Sequence, residues 1–137
     1  MRLAIATATS PRVRDLMTRV FITCGTSAGI DAVLRSMAEY DCDTLVVVDD
    51  TGRLAGIITE DEVCRSMIEF GTRLQELSVT DIMSHEAFSC SPDDGVELAH
   101  ELMTNLHLGQ LPVTDKLGRP VGVLSMDVVG SVPSSTE

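Results

Sequence analysis

The chain has 137 residues, 44% of them hydrophobic, with 10 basic against 21 acidic side chains and a formal net charge of −11. That length can bury a core without metal or disulfide staples, and the charge has the wrong sign for tracking a phosphate backbone, so nucleic acid is not an expected partner. One Tyr, three Phe and no Trp leave an aliphatic core with few stacking platforms for bases.

The opening Met1-Arg2-Leu3-Ala4-Ile5-Ala6 turns polar before a signal-type apolar run forms. After this segment, residues 1–10, the first unit spans 11–70. Asp15-Leu16-Met17-Thr18 reads as a short turn and Phe21-Ile22-Thr23-Cys24 as a brief extended piece. Gly29 starts a helical stretch in which Ile30, Val33, Leu34 and Met37 fall on one stripe at i, i+3, i+4 and i+7. Leu45-Val46-Val47-Val48 is a β-branched run suited to a strand covered on both faces. A turn at Asp49-Asp50-Thr51-Gly52 leads to a return strand, Leu54 to Ile58, Gly52 supplying the positive φ that the turn requires. Thr59 and Glu62 form a capping box for a helix over 60–70, and Gly71 is its stop.

Residues 71–78 link this unit to a second one, 79–130, predicted to repeat the order strand, helix, strand, strand, helix. Its helical stripe is Val96, Ala99, Met103 and Leu106. Its last helix is little more than a turn, because Gly130 and Pro133 follow Met126-Asp127-Val128-Val129 at once. The polar tail 131–137 is predicted to fray.

The two units are copies. Residues 13–63 match residues 79–129 without a gap, with 14 identities in 51 positions where chance gives about 3. The identical pairs are Val13/Val79, Asp15/Asp81, Met17/Met83, Cys24/Cys90, Gly29/Gly95, Met37/Met103, Leu45/Leu111, Val47/Val113, Asp49/Asp115, Gly52/Gly118, Arg53/Arg119, Gly56/Gly122, Asp61/Asp127 and Val63/Val129. A repeat present only twice is not a solenoid, which needs three or more units to close its core. Two half-modules facing each other are the simpler picture.

Catalytic patterns are missing. There is no His-Glu-x-x-His, no P-loop, no Gly-x-Gly-x-x-Gly and no recognisable nucleophile context, so no enzymatic activity is expected. Cys24, Cys42, Cys64 and Cys90 lie 18, 22 and 26 residues apart with no Cys-x-x-Cys pair, which reads as reduced thiols and not a metal site. Glu60-Asp61-Glu62 point in different directions around a helix start and suit solvent better than a cation. Arg53, Arg119, His85, His100 and His107 read as ordinary solvated groups.

The paired Asp-hydrophobic-Met-[Thr/Ser] openings at 15–18 and 81–84, Ser89-Cys90-Ser91-Pro92-Asp93, Leu111-Pro112-Val113, and the closing strands Gly56-Ile57-Ile58-Thr59 and Gly122-Val123-Leu124-Ser125 resemble a tandem pair of CBS domains, a Bateman module. The resemblance covers about residues 11 to 130. It implies an α/β (α+β) fold of two βαββα repeats packed sheet to sheet about a pseudo-twofold axis, and commonly a homodimer. It also implies a regulatory module that binds an adenosine-containing ligand in a cleft between repeats and signals to a partner protein. No cofactor is required; the resemblance implies AMP, ADP or ATP and sometimes S-adenosylmethionine as ligand, and for this chain AMP, adenosine or S-adenosylmethionine is the expectation.

The residues this singles out are Thr23, Val47 and Thr59 with Asp61 and Glu62 in one copy, and Ser89, Val113 and Ser125 with Asp127 in the other. A hydroxyl where a strand meets a helix N-terminus is a natural anion site, and a carboxylate one turn on can accept from a ribose diol. The capping box explains Thr59 and Glu62 equally well without a ligand. Where the family pattern has Asp three residues after the hydroxyl, this chain has Glu62 and Val128, with Asp61 and Asp127 one position early. Clustered carboxylates repel a polyphosphate, which favours AMP-like ligands or cationic S-adenosylmethionine over ATP. The copies are therefore unequal, and the cleft served by Thr59 is the expected site. The alternative is a ligand-free dimerisation or protein-interaction module. The expected compartment is the cytoplasm, with no membrane partner, since no apolar stretch approaches the roughly 20 residues of a membrane span.

Overall fold

The computed structural model describes residues 11–84 and 88–130; the segment 1–10, His85 and the tail 131–137, with their sequence readings, lie outside the described residues. The first repeat runs α1 (Val13–Leu16), β1 (Thr23–Gly25), α2 (Ile30–Glu39), β2 (Thr44–Val48), β3 (Leu54–Thr59) and α3 (Glu60–Phe70). A 3-10 turn, Gly71–Glu76, fills most of the linker and leads into α4 (Val79–Ile82), α5 (Val96–Leu106), β4 (Gln110–Thr114), β5 (Pro120–Ser125) and α6 (Met126–Val129). The last helix is a single turn ending at Gly130.

In the first repeat β1 pairs parallel to β2, which pairs antiparallel to β3. In the second, β4 pairs antiparallel to β5 and the opening strand contracts to one parallel bridge between Cys90 and Val113. Both hairpins are built alike. The Asp49 carboxylate accepts from the amides of Thr51 and Arg53 at 2.8 and 3.1 Å, and Asp115 accepts from Leu117 and Arg119 at 2.9 and 3.0 Å. Gly52 and Gly118 take φ of 85° and 84°, a conformation that other residues adopt only with strain. The hydrogen bonds from Thr51 and Arg53 hold the Asp49 carboxyl below its ordinary range. Along α2 the stripe faces inward, with Ile30, Val33 and Met37 buried. In α5, Val96, Ala99 and Met103 are buried while Leu106 stands 36% exposed at the helix end.

The two hydrophobic cores do not follow the repeat boundaries. Val13 and Met17 lie in the core made by Val96, Met103, Leu111 and Leu124 of the second repeat. Val79 and Met83 lie in the core made by Ile30, Met37, Leu45 and Ile58 of the first. Each repeat has lent its opening segment to the other. Backbone hydrogen bonds fix the exchange in pairs 66 residues apart: Val13 N donates to Asp94 O at 2.9 Å and Val79 N to Ala28 O at 2.8 Å, while Thr18 N donates to Val123 O and Ser84 N to Ile57 O. The Asp15 and Asp81 carboxylates cap the two lent turns, accepting from the Arg12 and Ser78 amides at 2.8 and 2.9 Å. Arg14 adds an exposed ion pair to Asp93.

This exchange accounts for the glycine before each closing strand end. A Cβ on Gly56 would stand 2.6 Å from Ser84 O and 2.9 Å from Met83 Sδ, and one on Gly122 would stand 2.7 Å from Met17 Sδ and 2.9 Å from Thr18 O. Asp15, Met17 and Gly122 thus form one interlocking set, and Asp81, Met83 and Gly56 its mate.

Two of the thiols are held protonated: burial raises Cys24, and burial with the nearby Asp94 charge pushes Cys90 up to about 12.

Gly56→Ala and Gly122→Ala are each expected to destabilise the protein by about 1–3 kcal/mol in urea unfolding, because the added methyl meets backbone oxygen that cannot step aside. In amide hydrogen exchange, Gly56→Ala should loosen Val79 and Met83 together with β2 and β3 before β4 and β5. Thiol reagents at pH 8 should modify exposed Cys64 first and leave Cys90 protected until unfolding. Since the folded Cys90 pKa lies above its ordinary 9.0, its contribution to stability is complete below about pH 9 and is lost as pH rises towards about 12.

Candidate functional site

The exchange leaves a cleft on each side of the pseudo-twofold axis, and the two clefts share Asp43, Thr44 and Gln110 in their walls. The larger, about 420 Å³, is a cross-repeat cavity. Leu54 and Ile57 of β3 form one apolar wall, and Phe88, Leu108 and Pro112 of the second repeat face them. Its polar end is the β3 to α3 junction, where Thr59, Glu60, Asp61 and Glu62 meet Arg65 from the next helical turn. The chain reverses there because α3 begins at a closed capping box. Thr59 N donates to Glu62 Oε1 at 2.9 Å, Glu62 N donates to Thr59 Oγ1 at 3.3 Å, and the Thr59 hydroxyl lies 3.2 Å from Glu62 Oε1. Thr59 and Glu62 are thus tied to each other. The exposed Asp61 carboxylate, by contrast, has no hydrogen bond or ion pair among the described residues.

The mate is smaller, about 260 Å³, and more apolar, with Val20, Phe21, Ile22, Tyr40, Val46 and Val123 in its walls. Ser125 accepts from Asp127 N at 3.2 Å, but neither residue lines this cleft. Val128 stands where Glu62 stands in the first repeat, so no side chain closes a capping box.

Of the residues singled out in the sequence, Thr59, Asp61 and Glu62 are brought together at one cleft. Val47 and Val113 are corrected: both side chains are fully buried in the repeat cores, and it is the preceding positions, Val46 and Pro112, that face the clefts. The reason is the two-residue period of a strand, which sends neighbours to opposite faces. Thr23 lies on β1, exposed and outside both clefts, and Ser89 lines a separate pocket at the hairpin tips. Phe88 is the wall residue that sequence reading passes over. Its signal was its rarity, one of three Phe in an aliphatic chain.

Four carboxylates, Asp43, Glu60, Asp61 and Glu62, line the larger cleft against Arg65 and His107, so its field favours cationic or neutral groups. Among the described residues no group of three His, Cys, Asp or Glu side chains is placed to hold a metal ion. No helix of the described residues is long and apolar enough to cross a membrane.

Comparison with known proteins places this geometry. The CBS domain family matches residues 13–69 and 79–128. The chain is 25% identical over 122 residues to an L-aspartate semialdehyde sulfurtransferase of Methanosarcina acetivorans, covering 89% of this chain but 24% of that protein. It spans about a quarter of the length of several such curated relatives. Its fold matches the CBS domain pair of protein MJ0100 in complex with 5′-methylthioadenosine and S-adenosyl-L-methionine, with TM-score 0.79, 21% identity, and 88% and 94% of the two chains covered. It also matches CBSX2 in complex with AMP, with TM-score 0.74, 22% identity, and 88% and 93% covered. At these identities the structural matches establish the fold, and the family match covers both repeats in the register of the internal duplication: the chain belongs to the CBS domain family, as a tandem pair of CBS domains.

Proposed function

We propose that this CBS pair is a regulatory module that binds an adenosine-type ligand in the Thr59 cleft and transmits its occupancy to a partner protein. One observation carries the reading: a cavity of about 420 Å³ with an apolar slot at one end and, at the other, a helix start bearing the Asp61 carboxylate, which has no partner among the described residues. That volume falls in the range of about 300–1,000 Å³ typical of small-molecule sites. The slot between Ile57, Phe88 and Pro112 suits a purine, and Asp61 is placed to accept from a ribose diol. Fold relatives bound to S-adenosyl-L-methionine, 5′-methylthioadenosine and AMP support the ligand class. The surplus of carboxylates ranks cationic S-adenosylmethionine first, then AMP or adenosine, then ATP.

Residue roles follow from the hydrogen bonds. Thr59 and Glu62 hold the helix start in position, and Asp61 meets the ligand. Signalling requires that a partner bind the liganded and empty forms unequally. The homodimer belongs to the same proposal, with Met67 at 49% and Ile68 at 87% exposure supplying an apolar face on α3.

Thermal shift tests this directly. Ligand at 100 times its Kd stabilises by about 2.7 kcal/mol, a rise of several degrees for a chain of this size. S-adenosylmethionine is expected to raise Tm most and ATP least, and Asp61→Asn to weaken S-adenosylmethionine binding about tenfold with little change in the Tm of the free protein. No shift with any of these compounds at millimolar concentration would leave the ligand-free interaction module as the reading. Thr59→Ala is expected to cost about 1 kcal/mol of stability even without ligand, through the lost cap.

A further inference from the structure

The two hairpin tips differ by one inverted charge. Asp49, Gly52 and Arg53 recur as Asp115, Gly118 and Arg119, but Asp50 of the first tip becomes Lys116 in the second. The tips are joined: Leu54 N donates to Gly118 O at 2.9 Å, and the Arg53 stem lies over Gly118, its Cγ and Cδ 3.8 Å from where a Cβ would sit. Beside this contact is a pocket of about 440 Å³, separated from the Thr59 cleft by Leu54, which lines both, with Arg53, Lys116, Ser89 and Thr114 as its polar lining and Leu54 and Leu117 as its apolar lining.

Its chemistry is one-sided. In a chain with 21 acidic and 10 basic residues, no carboxylate is among the described residues that line this pocket. The acids at the tips, Asp49 and Asp115, are engaged with the amides of their own turns. Neither Arg53 nor Lys116 forms a close ion pair among the described residues, although the Arg53 charge acts at longer range on the Asp49 carboxylate. The Thr114 hydroxyl donates to Ser89 Oγ at 3.2 Å, which leaves the Ser89 proton for a ligand. A guanidinium, an ammonium and a hydroxyl donor lining one pocket match an oxyanion with several acceptor atoms.

We propose that this pocket binds the phosphoryl group of inorganic phosphate or of a small phosphate monoester. The proposal is independent of the ligand assigned to the Thr59 cleft. The duplicated position lacks the feature, because Asp50 stands where Lys116 would be needed and Val48 where Thr114 would be. It also gives Ser89 a role different from the adenosine contact that the family resemblance implied.

The test is a titration of the whole chain with sodium phosphate, followed by backbone amide NMR shifts at constant ionic strength, with parallel arms of glycerol 3-phosphate, acetate and sodium chloride. Saturable shifts at Ser89, Leu117 and Gly118 are expected with either phosphate compound, and the one that saturates at lower concentration identifies free or esterified phosphate as the better source. Arg53→Gln and Lys116→Gln should each weaken binding at least fivefold, while Arg119→Gln, the counterpart in the other repeat, should leave it unchanged. Lys116→Gln alters an exposed turn residue and carries the test alone if Arg53→Gln does not fold. Non-saturating shifts, an equal response to acetate or chloride, or wild-type binding by Lys116→Gln would overturn the proposal.

Discussion

Everything in this molecule depends on the reciprocal loan of two short segments. Met17 packs onto the bare backbone of Gly122 and Met83 onto that of Gly56, and each lent turn is anchored by its own capping Asp. Neither repeat closes its core without a piece of the other, because Val13 and Val79 are fully buried in the opposite core. Such interlocking makes two small units fold as one cooperative body, although each is too short to hide its apolar surface well alone.

The clefts are by-products of the same geometry. Each lies where a closing strand of one repeat faces the approach to the opening strand of the other, so both clefts are walled by residues of the two repeats together. Symmetry supplies two such spaces; side chains then make them differ. The first repeat ends in α3 with a closed capping box and, at the cleft, an Asp61 carboxylate that no described residue engages. The second ends in one helical turn with Val128 at the equivalent of Glu62, and its cleft is smaller.

Much of this was legible in the residues. The helical stripes, the hairpins with their turn glycines, the capping box at Thr59 and the truncated last helix each rest on a local rule, and each formed as its residues dictate. The exchange was not legible, because Asp15-Leu16-Met17 and Asp81-Ile82-Met83 carry no signal of which core they fill; the packed cores, the cross-repeat backbone hydrogen bonds and the close approach at Gly56 and Gly122 reveal it only in the folded chain. The same limit displaced Val47 and Val113 from the site. Their run is buried on both faces, so no alternation of polar and apolar residues marks which side faces a cleft. Phe88 was missed because its wall belongs to Thr59 only after the repeats have packed.

Whether the cross-repeat cleft at Thr59 recognises adenosine can be seen in a crystal structure of the chain with S-adenosyl-L-methionine. Adenine is expected between Ile57, Phe88 and Pro112 with the ribose hydroxyls on Asp61. Ligand seated instead among Val20, Tyr40 and Val46, or crystals grown at saturating ligand with no purine density in either cleft, would contradict it.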